Sequence, residues 1–107
     1  MTAGSRSKTP FPFKALARFA DNVYRGRELA GLDQKEAAKR AALTRSRLDK
    51  IESGEYIPTL DVLIRLAGAY STSVADLANG VTWRPGWVEH SGPAEYLVSE
   101  DAPGDSR

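Results

Sequence analysis

Cysteine is absent from the 107 residues, so disulfides, thiolate nucleophiles and cysteine-ligated zinc or iron–sulfur sites are excluded together. A reducing compartment is expected on the same ground. Histidine occurs once, as His90 with only Glu89 as an acidic neighbour, which suits a loop residue better than a metal ligand or a base. No run of apolar residues is long enough to span a membrane, and the opening "MTAGSRSKTP" holds no apolar stretch of the kind a signal peptide needs. A cytoplasmic protein is expected. Also missing are a nucleophile beside a base, a phosphate-cradling glycine loop and paired carboxylates in a recognisable catalytic setting. The sequence argues against an enzyme and requires no metal or cofactor.

What is there is the composition of a soluble globular protein, 41% hydrophobic and 27% charged, with room for one domain. The core is small: a domain of this size buries only about 60% of the surface its unfolded chain exposes, so its helices must share one apolar centre. The formal net charge of +1 hides a segregation. Residues 1–50 hold twelve Lys and Arg against five Asp and Glu, and residues 51–107 hold three against nine. A basic half of this kind favours a polyanionic partner, nucleic acid being the commonest, although it can also fold back on the acidic half.

Residues 1–13 read as a basic arm that closes in "TPFPF", where two prolines block an earlier helix start. From Lys14, the residues Leu16, Phe19, Ala20, Val23 and Ala30 recur at helical spacing on one face, and Gly31 ends that helix. Asp33 caps a second, short helix, with Glu36 completing a capping box and Ala37 and Ala38 facing inward. "ALTR" makes a turn, Thr44 caps a third helix, and Gly54 ends it. Pro58 forces Ile57 out of helical geometry and Thr59 caps a fourth helix, "LDVLIRLAGAYS". Its expected buried stripe is Leu60, Leu63, Ile64 and Ala67, with Val62 and Leu66 at the edges. Ser73 with Asp76 opens a last short helix that stops at Asn79 and Gly80, which closes a domain spanning residues 14–80.

Residues 81–98 change character and form an aromatic extension in which "VTW" and "EYLV" are two extended pieces, able to make a strand or hairpin. Residues 99–107 are expected to be disordered. Trp83, Trp87 and Tyr96 have two readings. They fold back over the first and fifth helices to complete a thin core, or they form a dimer or partner surface.

The second and third helices, joined by a tight turn, make a helix-turn-helix. At 100° per residue, the third helix puts Leu48, Ile51 and Glu52 on one side, with Ser46, Lys50 and Ser53 opposite and Arg47 and Asp49 flanking. Arg45 sits in its first turn. This outward face can donate to guanine O6 and N7 or to phosphate, and a major groove about 12 Å wide admits one helix. The amino-terminal ends of both helices favour phosphate as well. A bare run of charged residues is more often a plain solvated surface, but the short helix before it and the basic half count against that here.

The run "RELAGLDQKEAAKRAALTRSRLDKIESGEYIPTLDVLIRLAGAYSTSVADL" resembles the lambda-repressor and Cro type of helix-turn-helix, the xenobiotic response element family. The series "GLDQ", "AALTRSRL", "KIESG" and "PTLDVLIRLA" carries the likeness, over Arg27 to Leu77. The resemblance implies an all-α, five-helix lambda-repressor-like domain with a short C-terminal extension. By position, Gln34 matches a glutamine that caps the second helix and contacts phosphate, and Arg45, Ser46 and Lys50 match base-reading positions. Asp49 is placed with the base readers. Arg47 matches a position that touches the DNA backbone, and Lys35 and Thr44 complete the phosphate-contacting set. Arg27 and Glu52 match a buried pair. Glu52 lies on the inward side of its helix, where an unpaired carboxylate would be costly, so it needs a cation.

Two positions depart from the family pattern. Gly26 stands where family members commonly carry an aliphatic residue, at a cost of about 1 kcal/mol relative to Ala. The loop after Gly54 reads "EYI" where basic residues are usual, leaving Tyr56 to supply a phosphate contact. The function implied is that of a bacterial, nucleoid-associated, sequence-specific regulator of transcription, a repressor that binds double-stranded DNA as a homodimer on an inverted repeat. Ser5, Arg6, Ser7 and Lys8 would add mobile phosphate contacts. The alternative is an antitoxin-like or other interaction protein whose C-terminal segment binds a partner protein.

Overall fold

The computed structural model describes residues 13–86 and 93–99. The amino-terminal arm, Trp87, His90 and the tail from residue 100 lie outside them. Five helices come first: α1 (Phe13–Leu29), α2 (Gln34–Arg40), α3 (Arg45–Glu52), α4 (Leu60–Tyr70) and α5 (Val74–Leu77). Two strands follow, β1 (Val81–Arg84) and β2 (Glu95–Val98), paired antiparallel with Val81 opposite Val98 and Trp83 opposite Tyr96.

The helix starts are local in origin. Asp33, Thr44, Thr59 and Ser73 sit in extended conformation and accept from the amides of Glu36, Arg47, Val62 and Asp76 at 2.8–3.2 Å, so each satisfies an amide that the helix cannot. The first capping box is only half made, because the Glu36 carboxylate accepts from Arg40 Nε at 3.1 Å, one turn along the exposed face.

The α2–α3 turn is less local. Ala42 has φ +56°. Leu43 N donates to Ala38 O at 2.8 Å and Ala42 N to Lys39 O at 3.1 Å, the bond pair of a Schellman ending. That ending normally uses glycine, since a Cβ in the left-handed region costs about 1–2 kcal/mol. Arg65 of α4 holds the turn from outside, its Nη1 donating to Ala41 O and Ala42 O at 3.2 and 2.9 Å. Replacing the exposed Ala42 by Gly should therefore stabilise the domain by about 1 kcal/mol, after allowing for glycine's freer unfolded chain. Thermal unfolding followed by circular dichroism should show a higher midpoint, and a lower one would refute the strain assignment.

Beneath the turn, Val23, Ala37, Leu48, Ile51, Val62, Leu66 and Leu77 are buried to within about a hundredth of their surface. They belong to one core cluster that Phe19, Leu63, Ala67 and Tyr70 extend. The expected stripe on α4 is corrected here. Val62 and Leu66 are fully buried, whereas Leu60 and Ile64 are 64% and 54% exposed. Apolar residues spread over more than half the circumference of α4, and its neighbours α1, α2 and α5 cover only the arc through Val62, Leu63, Leu66, Ala67 and Tyr70. Gly26 also has a reason. A Cβ there would lie 3.1 Å from the Tyr70 ring and 3.4 Å from Leu77, so its absence lets both pack against α1, which continues unbroken to Leu29.

The hairpin docks on α1 through polar anchors. Asn22, buried, donates from Nδ2 to Leu77 O and Asn79 O at 2.9 Å each, and Arg18 donates to Asn79 O at 3.2 Å and to Ser99 O at 2.5 Å. Gly80, with φ +87°, leaves room for the Arg18 guanidinium, which any Cβ would overlap. On the other side of α1, Leu16 and Ala20 approach Gly54 at the end of α3. Leu16 and Arg18 are about 200° apart around the helix, so the hairpin lies across α1 from α3.

Candidate nucleic-acid interface

Burial of Leu48 and Ile51 fixes which way α3 faces. Arg45, Ser46, Arg47, Asp49 and Lys50 are all exposed as a result, together with Thr44 at the cap and Lys35 on α2. Arg47 Nε donates to the hydroxyl of half-buried Tyr56 at 3.2 Å, which ties the loop after α3 to the same face. Three cations and one carboxylate make this strip basic.

Behind the strip the structure brings Arg27 and Glu52 together. Arg27 Nε donates to Glu52 Oε2 at 2.7 Å and Nη2 to Oε1 at 3.0 Å, while Nη1 donates to Leu32 O at 2.9 Å. The side chains are 13% and 7% exposed. Such a bidentate pair resists desolvation best when the remaining donors are also used. The Glu52 carboxylate accordingly raises the Arg27 pKa. Arg27 also lies over the Tyr24 ring, 5.3 Å from its centroid, and the Tyr24 hydroxyl donates to Glu28 at 2.6 Å, which pushes its pKa up. The negative charge of Glu52 is thus neutralised inside the domain.

Gln34 is the junction between α2 and α3. Its Nε2 donates to Asp49 Oδ1 at 3.2 Å and to Glu52 Oε1 at 3.0 Å, and its Oε1 accepts from Arg45 Nε at 3.4 Å. This threefold engagement escaped sequence reasoning, as did the grip of Arg65 on the turn. Arg65 also pairs with Asp61 at 3.0 Å, one turn away, and that spacing signals only a surface pair. Among the described residues no group of three or more His, Asp or Glu side chains could hold a metal ion, and no helix is long and apolar enough to cross a membrane.

On the hairpin, Trp83 and Tyr96 stack edge to face with centroids 5.1 Å apart. Val81 packs against the core, while Trp83 and Leu97 stay 47% and 39% exposed. The Arg84–Glu95 pair joins the strands beside them. The extension both thickens the core and leaves apolar surface outside it.

A short helix, a pinned turn and a second helix with an exposed basic face, set in a five-helix domain, define a DNA-binding protein of the helix-turn-helix class. The family model described as helix-turn-helix, HTH_3, matches residues 23–77, just over half of the chain, and the chain belongs to that family. It is a DNA-binding regulator of transcription. Among solved structures, the restriction-modification controller protein C.AhdI from Aeromonas hydrophila is similar at 26% identity and a TM-score of 0.58, with 61% of this chain and 98% of that one covered. An HTH_3 family transcriptional regulator from Vibrio cholerae has the same TM-score at 23% identity, with 61% and 36% covered. The clp gene regulator ClgR from C. glutamicum follows at 21% identity and a TM-score of 0.56, with 59% and 82% covered. The last two likenesses are of fold. No curated protein matches the chain.

Proposed function

We propose that the protein is a sequence-specific repressor that reads double-stranded DNA with α3 in the major groove. The observation that carries this is the exposed strip of Arg45, Ser46, Arg47, Asp49 and Lys50 on a helix whose opposite side buries Leu48 and Ile51. Arg45, Ser46 and Lys50 meet base edges, which they reach from one groove-facing side that Asp49 shares. Lys35, Thr44, Arg47 and Tyr56, with Gln34 through its backbone amide at the start of α2, lie along the flanks and contact phosphate, fixing register without reading sequence. One helix reads only a few base pairs, so a homodimer binds an inverted repeat with half-sites about 34 Å apart or a multiple of that.

Selection of bound fragments from random DNA at low salt tests the proposal, and no enriched motif would sink it. On the selected site, Lys50→Ala should cost about 1–3 kcal/mol and relax preference at one position. Lys35→Ala should weaken all sequences evenly and reduce the salt dependence by about one counterion. Measured by fluorescence anisotropy across a salt series, an unchanged motif in Lys50→Ala would displace that residue from the groove.

A further inference from the structure

Asp49 is exposed, acidic and set at the flank of the face proposed to meet a polyanion, where a bare carboxylate would weaken binding. Its hydrogen bond shows another use. The Gln34 amide has one donor end and one acceptor end. Two carboxylates, Asp49 and Glu52, both accept from Nε2 at 3.2 and 3.0 Å, and a carboxylate can only accept. The amide therefore cannot flip without setting its oxygen against two anions. Oε1 is turned the other way, toward Arg45 Nε at 3.4 Å. With Nε taken, the edge of Arg45 left to donate is the parallel pair Nη1 and Nη2, which matches O6 and N7 of a guanine.

We infer that Asp49 is a positioning residue, not a base reader. Acting through Gln34, it presents Arg45 end-on to a guanine. This rests on the groove-reading role of α3 given above. Glu52 holds the same amide nitrogen but is committed to Arg27, so Asp49 is the contact that can be altered without disturbing the buried pair.

The test compares Asp49→Ala with Asp49→Asn in the full chain. The asparagine keeps an oxygen that accepts from Gln34 while losing the charge, and alanine loses both. Both variants should bind random-sequence DNA more tightly than the parent, because a negative charge is gone. Only Asp49→Ala should lose guanine preference at the Arg45 position, by about tenfold, at the scale of one bidentate contact. A folding defect would weaken both kinds of binding together, which separates it from this pattern. In the free protein, Arg45 Nε–Hε should be ordered by NMR relaxation in the parent and in Asp49→Asn, and mobile in Asp49→Ala and Gln34→Ala.

Equal Arg45 order in all four proteins would overturn the relay whatever the DNA result. A new preferred base in Asp49→Asn would show direct reading by residue 49 and overturn it also. If the relay is seen in the free protein but the parent enriches no motif, the groove-reading role fails instead.

Discussion

Glu52→Ala is expected to destabilise the protein by about 3–5 kcal/mol, because it leaves the Arg27 guanidinium buried beside no anion. Lys50→Ala, two residues earlier on the same helix but exposed, should change stability by less than about 0.5 kcal/mol. The contrast comes from environment rather than residue type. Glu52 accepts both Arg27 bonds and a third from Gln34, and its side chain is 7% exposed. A domain of this kind has only about 5–15 kcal/mol of total stability, so the loss takes much of the folded population with it. Since a loss of 1 kcal/mol lowers the melting temperature of a 60–100-residue domain by about 4–8 °C, circular dichroism melts separate the two variants readily. Equal losses would count against the clamp. The double variant Arg27→Met/Glu52→Met should lose less than Glu52→Ala, as no lone charge is left inside.

The second large effect lies on α4. Leu66→Ala should cost about 2–5 kcal/mol, the range for truncating a fully buried leucine into a cavity. Ile64→Ala, two residues away, should cost less than about 1 kcal/mol, because its side chain already faces water. Leu66 is fully buried and Ile64 is 54% exposed. Urea denaturation of the two variants decides the matter, and a larger loss for Ile64→Ala would return α4 to the register expected from sequence.

That register shows where reading the sequence stops. Helix starts were legible because a cap is a local event: Asp33, Thr44, Thr59 and Ser73 bond amides three residues on, and no distant group takes part. The exposed face of α3 was legible for a related reason. On α3 only Leu48 and Ile51 are aliphatic, so two anchors leave one orientation open. On α4 the apolar residues outnumber the sites that neighbours can cover, and periodicity could not choose among them.

The sequence by itself determined five helices, their starts, the tight turn between the second and third, the side of α3 left exposed and the extended pieces of the hairpin. These follow from backbone amides, side-chain periods and turn residues within a few positions of one another. Only the tertiary structure decided which arc of α4 is buried, that Arg65 pins the strained Ala42 turn, that Gly26 admits the Tyr70 ring and that Gln34 ties Asp49 and Glu52 to Arg45. Each of these joins residues from different elements. Such contacts depend on how the helices cross and on what charge or volume must be matched at the crossing, and nothing within one helix records that.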